Sequence, residues 1–105
     1  MELQVIPEGL WAASGHVAAL TGRMIGANAA HAAACGLITA PGSDPVSIKT
    51  AAALHGHNAA HQVSAAMGNE ELARSAGGVG ESAASYTIGD DLGAAAMVAA
   101  SGISV

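Results

Sequence analysis

The chain contains no phenylalanine, a single tryptophan (Trp11) and a single tyrosine (Tyr86), so aromatics make up 2% of its 105 residues. Large side chains are scarce even though 51% of residues are hydrophobic, because half of that fraction is alanine. An alanine methyl buries little area, and buried apolar area is what drives folding. Such a chain makes close-packed helices but cannot fill a thick core of its own, and its length allows one domain at most. A partner is expected on these grounds alone.

Positive charge is also nearly absent. Arg23, Lys49 and Arg74 stand against eight acids, for a net charge of −5. Neutralising phosphates requires clustered Lys and Arg, so nucleic-acid binding is excluded, as is a basic helix lying on a membrane surface. Cys35 is the lone cysteine, which rules out an internal disulfide and leaves the compartment open. The start, MELQVIPEGL, lacks the basic region and apolar run of a general secretory signal. No stretch approaches the roughly 18 strongly apolar residues of a membrane span. The expectation is a cytosolic protein, or one exported by a route that reads no N-terminal signal.

What remains is helical patterning. A first helix is expected over about residues 7–37, opened by Pro7 at its first position and Glu8 in its first turn. It carries a heptad stripe of Leu10, Val17, Met24 and His31, interleaved with Ala13, Leu20, Ala27 and Ala34. Trp11, Ala18 and Ile25 form a second stripe on an adjacent face, so two packing neighbours are expected. Pro41 and Gly42 end that helix in a turn over about 38–44. Asp44-Pro45 restarts one as N-cap and first helical residue.

The second helix, expected over about 45–86, carries Ile48, Leu54, Met67 and Leu72, with a seven-residue ladder of Asn58, Ala65, Leu72, Val79 and Tyr86. Gly77, Gly78 and Gly80 each weaken it by about 1 kcal/mol relative to alanine, so a break or fraying is expected there. Residues 93–105, GAAAMVAASGISV, have no caps and no charge and are expected to form a mobile tail. The short turn makes the helices antiparallel neighbours. The fold class is all-α: a two-helix hairpin with one long apolar side uncovered, most simply completed as a four-helix bundle.

Catalytic constellations are weak. His57 and His61 share a helix face at i, i+4, and His55, His16 and His31 lie on the same two helices. A zinc site needs further ligands that no Cys pair or intervening Glu supplies. No strand-turn-helix elbow frames a serine, an alanine-flanked helical Cys35 reads as a small hydrophobe, and SAGGVGES lacks the lysine of a phosphate loop. No catalytic residue, metal or cofactor is assigned, and the protein is expected not to be an enzyme. A histidine-rich metal-binding module and a homo-oligomeric helical protein stand as the alternatives.

Several local features nevertheless coincide. Pro7-Glu8, Asn28-Ala29-Ala30 in the first helix, Asp44-Pro45-Val46-Ser47 after the turn, and Tyr86 four residues before Asp90 together resemble the mycobacterial PE proteins over about residues 4–92. The segments VIPEGLWAAS, DPVSIKTAA and GVGESAASY are similar in particular to the short PE protein of the iron- and siderophore-linked type VII (ESX) secretion locus.

The resemblance implies a PE domain over residues 1–92 that pairs with a PPE-family protein in an elongated heterodimeric four-helix bundle. It implies an EspG-type chaperone gripping the PPE subunit, and a type VII secretion ATPase as the export machinery. Within the family, Tyr-x-x-x-Asp/Glu after the second helix is part of the export signal, here Tyr86 and Asp90; Pro7 and Glu8 are the naming motif. Leu10, Val17, Leu20, Met24, Leu54, Leu72 and Val79 are the expected apolar contacts, shared between the hairpin and its partner. The destination implied is the cell surface or exterior after a cytoplasmic stage, with a link to iron acquisition.

Overall fold

The structure, a computed structural model, describes residues 3–103. Helix α1 spans Pro7–Gly36 and helix α2 spans Pro45–Ile103. They form an antiparallel hairpin measuring 93 × 23 × 17 Å, and the 59 residues of α2 at 1.5 Å each set the long dimension at about 88 Å.

Each helix starts where local chemistry allows. At α1, Pro7 occupies the first turn, where its missing N–H has no intrahelical partner to lose. The Ile6 carbonyl accepts from the Gly9 and Leu10 N–H groups at 3.0 and 3.3 Å. At α2, Asp44 caps the helix: one carboxylate oxygen accepts from the Ser47 N–H at 3.0 Å and the other from its hydroxyl at 2.8 Å. These bonds, the backbone one first, hold the Asp44 carboxyl below its ordinary value of 3.8. The connecting loop is fastened by His55, whose Nε2–H donates to the Ile38 carbonyl at 2.8 Å.

The seam between the helices is built from small and polar residues. On α1 the buried or half-buried positions Ser14, Thr21, Asn28 and Cys35 recur every seven residues; on α2 Gln62, Asn69, Ala76 and Ala83 do the same. Their polar atoms are satisfied locally. The Thr21 hydroxyl donates to the Val17 carbonyl at 2.8 Å, and the Gln62 amide donates to Asn58 at 3.3 Å. The tightest contact lies at the open end, where the Ser14 hydroxyl donates to the Ala76 carbonyl at 2.7 Å across the helices. One turn on, a Cβ at Gly80 would sit 3.2 Å from both Trp11 Cζ3 and Ser14 Oγ. Ala76 and Ala83 flank this point, 5% and 0% exposed.

Two expectations are corrected here. First, α2 neither breaks nor frays at Gly77–Gly80: that stretch is helical, and Gly80 is the position that lets the helices touch. Second, α2 does not end near residue 86. It continues through the segment expected as a tail as far as Ile103, because no proline follows Pro45 to stop a helix already under way, and extending a helix costs less than starting one. Residues 104 and 105 of that segment lie outside the described residues.

Gly80→Ala gains helix propensity but drives a methyl against the Trp11 ring and the Ser14 hydroxyl, which is held by its bond to Ala76, so a net destabilisation of about 1 kcal/mol is expected. Gly56→Ala, where a methyl meets open space, should instead stabilise by up to about 1 kcal/mol; thermal unfolding followed by circular dichroism distinguishes the two. A lowered carboxyl pKa means that the Asp44 cap stabilises the fold above the ordinary carboxylate range and loses that contribution as pH falls through it. Asp44→Ala should therefore lower the melting temperature at neutral pH, and the gap to the parent should close in acid.

Candidate functional site

Because the seam takes only small side chains, the large apolar ones are turned outward. Leu20, Met24, Leu54 and Leu72 are exposed at 53, 48, 46 and 37%, whereas Leu10, Val17 and Val79 are half-buried at the edge of the seam. Leu20, Arg23, Met24, Ala27 and Leu72 line a shallow groove along one face of the hairpin. Thr21, Ile25, Ala66, Asn69, Glu70 and Ala73 line another on the opposite face. The two stripes of α1 thus flank one seam and are displayed on the two sides of a flat hairpin.

The extent of this exposure is large. A compact monomer of 10.1 kDa presents roughly 5,300 Å² of surface. This chain presents 7755 Å². The excess of roughly 2,400 Å² is of the size that one member of an obligate pair buries.

Tyr86 and Asp90 lie one helical turn apart on α2, on one face. Tyr86 is 48% exposed and borders an open groove with Gly78, Glu81, Ser82 and Ser85. The antiparallel register, with Trp11 beside Gly80, brings the Pro7-Glu8 start of α1 to the same end of the hairpin. Pro7 is half-buried and Glu8 exposed. Every residue from Ser85 to Gly102 is exposed, so α2 leaves its partner helix here and runs on alone.

The histidines do not converge. His55 is engaged with the loop, His16, His31, His57 and His61 are exposed, and Cys35 is half-buried. Among the described residues no three His, Cys, Asp or Glu side chains are grouped to hold a metal ion, and no helix is long and apolar enough to cross a membrane.

Reading the apolar stripes alone misses the Trp11, Ser14 and Gly80 contact. The available signal was the heptad of small and polar residues, Ser14, Thr21, Asn28 and Cys35, which marks a close helix approach as surely as a leucine repeat marks a wide one.

A long hairpin with a thin polar seam and apolar outer faces defines a helical interaction module. The chain belongs to the PE family, which it matches over residues 3–93. It is 52% identical over 98 residues to the Mycobacterium tuberculosis protein described as PE family immunomodulator PE5, covering 90% of this chain and 93% of that one. It is 44% identical over 98 residues to PE family immunomodulator PE15 of the same species, covering 93% of this chain and 96% of that one. No solved structure matches the chain significantly.

Tyr86 does not form part of the core. Tyr86→Ala is expected to change helix content and stability by no more than about 0.5 kcal/mol, measured by circular dichroism and chemical denaturation.

Proposed function

We propose that this chain is a non-enzymatic PE protein that forms an obligate heterodimer with a PPE-family protein and leaves the cell through type VII secretion. The observation that carries the pairing is the inverted packing: small and polar residues inside the hairpin, Leu20, Met24, Leu54 and Leu72 outside. Two helices of the partner laid along the Leu20–Leu72 face complete a four-helix bundle, with Leu10, Val17 and Val79 closing its edge. Burying that face offsets the entropy of ordering a chain with so little core of its own.

In this reading Tyr86 and Asp90 are the export address. They are exposed, close to the end of the paired region, and presented on a continuous helix. A receptor can reach them without opening the bundle. The type VII secretion ATPase is the reader, and an EspG-type chaperone holds the PPE subunit until export. Pro7 and Glu8 start α1 beside this address. After export, a role in iron or siderophore acquisition follows from the resemblance to the short PE protein of that locus. The described immunomodulator activity of the relatives is proposed for this chain as well.

Expressed alone, the chain should be poorly soluble, and co-expression with its PPE partner should rescue it as a 1:1 complex on size-exclusion chromatography with light scattering. Tyr86→Ala and Asp90→Ala should still co-purify with the partner yet fail to appear in mycobacterial culture filtrate or at the cell surface. A soluble, fully helical monomer would refute the pairing, and normal export of both variants would refute the address.

A further inference from the structure

We infer that Trp11 and Ser14 are positioning residues for the address: they clamp the glycine-weakened stretch of α2 and so keep the turn from Tyr86 to Asp90 helical. The inference rests on the reading of Tyr86 and Asp90 given above.

Three glycines fall within four positions, Gly77, Gly78 and Gly80, and each disfavours helix by roughly fivefold relative to alanine. Beyond them, each residue from 85 to 102 is exposed, so the hairpin gives that helix little packing to hold it. This stretch is a weak helix former, with Gly89, Gly93 and Gly102 and the β-branched Thr87, Ile88 and Val98 in it, and helices in proteins take most of their stability from packing. The stretch holding the address is therefore helical only if its N-terminal side is fixed.

That fixing is found at the weak point. The Ser14 hydroxyl donates to the Ala76 carbonyl at 2.7 Å, immediately before the first glycine. The Trp11 ring edge lies over Gly80, with Cζ3 3.2 Å from where a Cβ would stand. Ala83, fully buried, is three residues before Tyr86. Gly77 and Gly78 instead face open space, so they serve no close approach, and their effect is to make helix here depend on α1. The consequence is conditional display. A chain whose hairpin has not closed loses helix at 77–80 and with it the Tyr86–Asp90 surface, whereas the closed hairpin presents both side chains on one face.

The test uses the full chain in the complex it forms in a mycobacterial host, recovered through an affinity tag, with export scored in the culture filtrate. Trp11→Ala should leave pairing intact, speed amide hydrogen exchange at residues 81–90 by roughly tenfold, and cut export at least severalfold. Adding Gly77→Ala and Gly78→Ala, which restore intrinsic helix, should slow exchange again and recover export. Ser14→Ala should shift both readouts in the same direction by less, and it carries the test if Trp11→Ala fails to accumulate. Unchanged exchange in both clamp variants overturns the inference. So does restored protection without restored export, which makes Trp11 a receptor contact instead. Tyr86→Ala is run in parallel: its normal export removes the address reading, while the exchange data still decide whether the clamp holds the helix.

Discussion

The structure depends on how closely two helices approach. Along the seam every seventh residue is small or compact and polar, Ser14, Thr21 and Asn28 facing Ala76, Asn69 and Gln62. Side chains of this size bring helix backbones together and fill the gap without a hydrophobic layer. There is no volume between the helices for leucine or methionine. Those residues are displaced to the faces of the hairpin, and the molecule becomes a flat strip with its apolar matter outside. The hairpin is thus internally complete in its hydrogen bonds, with no buried side-chain polar atom lacking a partner among the described residues, and incomplete in its hydrophobic burial. That imbalance is the basis of the proposed association with a second protein.

The two ends of the strip are held by different means. At the turn, local chemistry dominates: Asp44 caps α2 through Ser47, and His55 ties the loop down through Ile38. At the open end there is no covalent connection, and a cross-helix contact takes its place, Ser14 on Ala76 and Trp11 on Gly80. The sole tryptophan of an aromatic-poor chain is used where a broad ring can cover the bare backbone of a glycine. From Ser85 onward α2 runs on as a single helix for about 27 Å, carrying Asp90, Asp91 and the exposed apolar residues Ile88, Leu92, Met97 and Val98.

Much of this was legible before any coordinates. Helix starts are written in short-range chemistry, and Pro7-Glu8 and Asp44-Pro45 announce theirs. The Pro41-Gly42 turn is equally local. The stripes of α1 were visible as stripes, but which of them faced α2 was not, because heptad spacing gives the angle between positions and says nothing about which angle is buried. Leucine and methionine are expected as contacts shared between the hairpin and its partner, while the seam itself follows Ser14, Thr21, Asn28 and Cys35. The glycine run misled for the same reason. Propensity counts Gly77, Gly78 and Gly80 as three equal penalties, whereas in the folded chain Gly80 makes a contact and the other two face open space.

Composition and interactions within a few residues suffice for an all-helical hairpin, its acidic charge, the starts of its helices and an apolar side left uncovered. The sequence also places Tyr86 and Asp90 one turn apart. That Tyr86 lies outside the core, that the glycine stretch is helical, and that the chain continues as helix to Ile103 emerge from the packed hairpin alone. Those outcomes turn on the register of α1 against α2. That register is set by contacts between residues more than sixty positions apart, Ser14 with Ala76 foremost, which no local pattern encodes.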